Sequence, residues 1–137
     1  MHPIFRNVLA FVAGVIVGGA ANMGIIMISS TLIPLPEGVN PNDMESINAN
    51  IHLYRPIHFL MPWLAHAMNA FLGGLVGALL AASHKMKIAL GIGALTMVGG
   101  IAACFMIPAP AWFMVADLTL AYIPMAWSAG KLATRKN

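Results

Sequence analysis

Four stretches of twenty or more mostly apolar residues constrain this chain most: roughly Val8 to Ser30, Phe59 to Ala82, Ile88 to Ile107 and Ala111 to Leu132. A helix needs about 20 residues to cross ~30 Å of hydrocarbon, and each stretch meets that length. Strands of a membrane β-barrel would instead read as alternating segments of about 10 residues, a pattern that is absent. The expected fold is all-α, an integral membrane four-helix bundle forming one domain over residues 1–137. Composition agrees, since 60% hydrophobic against 8% charged residues leaves too little polar surface for a soluble fold of this length. Arg6 followed by an apolar run ending in Gly18-Gly19-Ala20-Ala21 has the outline of a secretory signal, but the segment reads as the first membrane helix.

Orientation follows from the basic residues. Arg6 precedes the first span, Lys85 and Lys87 separate the second from the third, and Lys131, Arg135 and Lys136 follow the fourth. The opposite side carries Glu37, Asp43, Glu45 and only Arg55. By the positive-inside rule both termini are cytoplasmic. Because the cations flank apolar spans, the net charge of +3 is a topology signal, and the expected partner is the lipid bilayer, with no nucleic acid. Between the first two spans lies an outer loop, residues 31–57, made irregular at first by Pro34, Pro36, Gly38 and Pro41. Asn42 or Asp43 can cap a short helix there, and Met44, Ile47 and Ile51 recur at helical spacing. This predicts a short amphipathic interfacial helix on the outer membrane surface, serving as a lid or spacer or as part of a ligand-binding loop. A faint repeat links Ile33-Pro34-Leu35-Pro36 to Ile107-Pro108-Ala109-Pro110 and Gly18-Gly19 to Gly99-Gly100. The two echoes need different offsets, so a duplicated hairpin stays open.

Helix packing is written in glycine. Gly14 and Gly18 form one GxxxG and Gly73 and Gly77 another, which predicts close contact of the first two spans within the chain, with a homo-oligomer as the other use of such a face. Polar residues continue these stripes: Asn22 follows Gly18 by four, and His66, Asn69, Gly73 and Gly77 share one face. Asp117 is the only acidic residue within the four stretches. Counting ~1.5 Å per residue puts His66 and Asp117 roughly 9 to 11 Å, and Asn22 about 12 Å, below the outer end of their spans. The expected site is therefore a polar intramembrane cluster of Asn22, His66, Asn69 and Asp117, with Tyr122 and Thr119 as further candidates. A charged Asp in hydrocarbon must pair, bind something, take up a proton or face water. A structural hydrogen-bond network, ion translocation and ligand binding all satisfy that demand.

Met23, Met27, Met61, Met114, Cys104, His58 and His66 all lie toward the outer side and carry donors that suit Cu(I). Apart from Met23 and Met27 none forms a tight ligand motif, so the methionines read as core filling and no metal or cofactor is expected. One cysteine permits no intrachain disulfide. Cys104 has no nearby His, no GxSxG elbow occurs and Asp117 has no second membrane carboxylate, so no enzymatic activity is expected. Trp63, Trp112 and Tyr54 read as an outer interfacial belt, and Trp127 as its inner counterpart.

His58 to Ala82 with the following Ser83-His84-Lys85-Met86-Lys87, together with Pro36-Glu37-Gly38 and Asp43-Met44-Glu45-Ser46, resembles short uncharacterised bacterial membrane proteins of four predicted spans. The resemblance implies a bacterial inner membrane and no particular activity. Small multidrug resistance transporters differ, carrying a membrane Glu in the first helix where this chain offers Asn22. The leading functional expectation is a non-enzymatic accessory or assembly subunit bound to other membrane subunits. The competing class is a small channel or transporter for protons, ions or metals that uses the polar cluster; a hydrated cleft reaching Asp117 from the outside favours it, and parallel packing without a water-lined cavity favours the accessory subunit.

Overall fold

The computed structural model describes residues 1–135, so Lys136, counted above among the inner cations, lies outside them. The first apolar stretch is helical over Pro3–Leu32 (α1), with Pro3 at its start and the His2 ring accepting the Ile4 N–H at 3.3 Å. A short helix, Met44–Asn50 (α2), opens with Asp43 accepting the Glu45 N–H at 3.0 Å, as the capping signal predicts. Two 3-10 turns, Ile51–Leu53 and Pro56–Phe59, lead into Leu60–Leu80 (α3), and Lys85–Met106 (α4) follows. Three helical segments, Pro3–Leu32, Pro56–Leu80 and Lys85–Met106, are long and apolar enough to cross a membrane. The end bearing the loop of residues 31–57 is called outer below.

The fourth stretch is not the continuous helix expected over Ala111 to Leu132. It divides into Ala111–Leu120 (α5) and Ile123–Thr134 (α6). The backbone ladder stops where the Ala121 N–H donates to the Asp117 carbonyl (3.0 Å) and resumes where Ala126 donates to Tyr122 (2.9 Å). Pro124 is the cause, for it has no N–H to continue the ladder, whereas its fixed φ suits the first turn of a new helix. Among the described residues there is no strand.

The glycine stripes meet as predicted. A Cβ added at Gly14 would lie 2.5 Å from the Gly73 carbonyl oxygen and 3.1 Å from Gly77 Cα, so α1 and α3 touch backbone to backbone. On the other side of α3 the contact with α4 and α6 is built from Ala78, Ala89, Ala129 and Ala133, all buried. The large apolar residues instead point outward, Ile16, Val98 and Phe105 among them, as they do when lipid is the solvent. At the inner end the Asn7 Oδ1 accepts the N–H groups of Ala82 (2.9 Å) and Ser83 (3.2 Å), and Arg6 donates to the Leu80 carbonyl at 2.9 Å. These side chains satisfy the end of α3 and lock the tight turn before α4.

The two ends of α1 behave differently. Its buried residues are Ala10, Gly14 and Gly18, and none follows Gly18, so the outer half packs more loosely and borders a cavity. The loop covers part of that cavity, held to α4 by the Asn48 Nδ2, which donates to the Met106 carbonyl at 3.0 Å. Met44, Ile47 and Ile51, expected to face a membrane surface, border a cavity, and Met44 also keeps 46% of its surface exposed. The reason is local: the loosely packed half of α1 leaves an apolar void, and the amphipathic face of α2 roofs it.

Candidate functional site

His66 sits two turns into α3, and Asp117 two turns into α5, so the sequence offset from each outer end brings them to one level. The His66 Nδ1 lies 2.9 Å from Asp117 Oδ1 and 3.0 Å from Oδ2. The Tyr122 hydroxyl donates to Oδ2 at 3.0 Å, and its ring stacks on His66 with centroids 5.7 Å apart. Asp117 and Tyr122 are buried, whereas the His66 side chain keeps 25% of its surface. In the neutral imidazole, donation from Nδ1 to the carboxylate leaves the lone pair on Nε2. No protein group among the described residues occupies Nε2.

The helix break is what delivers Tyr122 to this pair. In an unbroken helix, residues five apart point in directions differing by roughly 140°. The reset at Ala121 and Tyr122 instead swings the phenol back toward Asp117. Gly100 on α4 makes the room, for an added Cβ there would overlap the Tyr122 hydroxyl.

The other predicted members take different places. Asn69 lies three residues beyond His66, about 60° around the helix, and its carbonyl and side-chain oxygens face Gly18 of α1. Neither Asn22 nor Asn69 hydrogen-bonds to His66 or Asp117, and both side-chain oxygens are buried without a partner. Thr119 turns away, its hydroxyl donating to the Val115 carbonyl at 2.6 Å. The single cluster read from depth is thus a His66-Asp117-Tyr122 triad plus two amides at the α1 contact. Depth alone cannot separate them, because rotation about each helix axis decides who meets.

A cavity of about 480 Å³ runs inward from the outer loop and reaches His66 and Asp117. The outer part of α1, the starts of α3 and α5, the end of α4 and the α2 roof enclose it. Its volume falls in the range of about 300–1,000 Å³ usual for ligand sites, and apolar walls with a few convergent polar groups are their usual character. Phe59 lines the cavity, packing on Phe113 at 4.8 Å and on Trp112 at 5.6 Å, so Trp112 joins an aromatic cluster as well as facing outward. His58 is committed to the backbone, its Nδ1 accepting the Arg55 N–H at 2.8 Å. On the inner side of the triad Gly93 packs against Ala126 and Tyr122, leaving no room for a Cβ. No family model, curated protein or solved structure matches the chain.

Proposed function

We propose that the chain is a bacterial inner-membrane protein of four spans, α1, α3, α4 and the broken pair α5–α6, with both termini cytoplasmic. In this reading it is a non-enzymatic carrier that loads a small ion or metal from the outer side. The observation that carries the reading is the cavity that reaches His66 and Asp117 from the outer end and goes no further. A channel needs a continuous path, which the Ala and Gly packing inward of Tyr122 does not offer. A carrier needs a site open to one side at a time. The broken helix supports the same reading, since discontinuous membrane helices are how many transporters place polar groups at mid-depth. The accessory-subunit reading rests on the small surface outside the spans and has no geometry comparable to the cavity.

Proteoliposomes test it. Exposed to a panel of mono- and divalent metal ions, vesicles holding the protein should accumulate at least one above the level of empty vesicles, and Asp117→Asn should remove the excess. Equal accumulation of every ion with and without the protein overturns the carrier reading.

A further inference from the structure

The cavity is bordered by several sulfur-bearing side chains, of which Met23 and Met27 keep 59% and 73% of their surface exposed. Met23 and Met27 from α1, Met61 and His66 from α3, Cys104 from α4 and Met114 from α5 all line it. Met23 and Met27 are four apart and so share one helical face. Thioether, thiol and imidazole are soft or borderline donors. These walls are apolar by surface yet dense in ligand atoms, a combination that aliphatic side chains would not give.

The donor set discriminates among cations. Hard cations such as Na⁺, Mg²⁺ and Ca²⁺ require several oxygen ligands. Here the one carboxylate is already engaged by His66 and Tyr122. Zinc is usually held by three or four Cys, His or carboxylate groups. Among the described residues no three of His, Cys, Asp and Glu come together. What remains is a site for an ion content with two or three sulfur and imidazole ligands.

His66 is prepared for such an ion. Histidines that bind metals almost always donate their second ring N–H to a carboxylate or carbonyl, which fixes the tautomer and makes the ligating nitrogen more basic. Asp117 does this for His66 at 2.9 Å, and Tyr122 holds Asp117 in turn.

We propose that the cavity is a Cu(I) site, with His66 Nε2 as its nitrogen ligand and sulfur ligands drawn from Cys104 and the cavity methionines. Asp117 and Tyr122 are positioning residues that do not touch the ion. The inference names the cargo of the proposed carrier and rests on that reading. Cu(I) enters and stays as Cu(I), so no electron is transferred.

Tag-free protein in detergent, titrated anaerobically with Cu(I) against a chromophoric Cu(I) chelator, tests it. One equivalent should leave the chelator for the wild-type protein. His66→Leu and Cys104→Ser should each weaken binding, and Asp117→Asn should weaken it by about 10- to 100-fold at unchanged stoichiometry. Met106→Leu, which alters an exposed methionine outside the cavity, should have no effect. Circular dichroism on each variant confirms folding, and X-ray absorption at the copper edge should report mixed sulfur and nitrogen ligation. Absence of Cu(I) transfer to the wild type, or transfer unchanged in folded His66→Leu, overturns the proposal. The two readings fail separately: uptake of another ion without Cu(I) binding removes the copper site alone, whereas Cu(I) binding without uptake of any ion removes the carrier alone.

Discussion

Replacing Gly14 by Ala should unseat α1 from α3, and the cost can be worked from the geometry. The added Cβ would stand 2.5 Å from both the Gly73 carbonyl oxygen and Ile92 Cδ1, where ordinary contact begins at 3.4 Å. The Ile92 methyl can rotate, but the Gly73 backbone cannot, so the helices must part by roughly 1 Å, which forfeits a quarter to a half of each dispersion contact along the seam. Overpacking of this kind costs about 1–3 kcal/mol. Reversible unfolding in mixed detergent and SDS micelles, followed by the fluorescence of Trp63, Trp112 and Trp127, reads the loss. Gly19→Ala is the internal control, since nothing lies within 4 Å of its Cβ position, and it should be neutral or gain up to about 1 kcal/mol of helix propensity. The pair Gly14→Ala with Gly73→Ala should cost less than the sum, because one separation of the helices relieves both clashes. Equal losses from Gly14→Ala and Gly19→Ala would refute the packing argument.

Three further outcomes follow from local geometry. Asn7→Ala removes acceptors for the Ala82 and Ser83 N–H groups and a donor to the Ser83 hydroxyl, so the same unfolding assay should show a loss of about 1–2 kcal/mol. His84 is the one non-glycine residue at positive φ (54°) among those described, so His84→Gly should raise stability by up to about 1 kcal/mol, and a loss would mean that the imidazole contact with the Ser83 hydroxyl (3.0 Å) outweighs the backbone strain. Tyr122→Phe removes one donor from buried Asp117 and should cost about 0.6–1.7 kcal/mol, the range for hydrogen bonds inside membrane bundles, with no change in helix content by circular dichroism.

Much of this was readable in the residues because membrane helices carry their signals locally. Hydropathy marked α1, α3 and α4 to within a few residues, GxxxG marked the α1–α3 seam, and the pair Asn42-Asp43, of which Asp43 is the cap, marked the start of α2. Depth counting paired His66 with Asp117 across 51 residues of sequence. The failures share a cause. Pro124 was visible, yet proline is tolerated within many membrane helices, so its presence alone did not announce the break at Ala121 and Tyr122. Asn22 shared the depth of the pair and Asn69 was placed with His66 by face, yet neither hydrogen-bonds to it. Gly100 stood out only as half of a faint repeat, whereas its use is to admit the Tyr122 ring. The cavity was invisible because it is made by what α1 does not touch after Gly18, and absence of contact leaves no periodic mark.

The central claim is that the cavity opens to the outer side and closes beneath His66 and Asp117. Cys104 tests it directly, being the only cysteine in the chain and part of the cavity wall. A charged, membrane-impermeant methanethiosulfonate should label Cys104 in right-side-out vesicles and fail to do so in sealed inside-out ones. Labelling from the cytoplasmic face, or from neither face while a lipid-soluble thiol reagent reacts, would contradict the account.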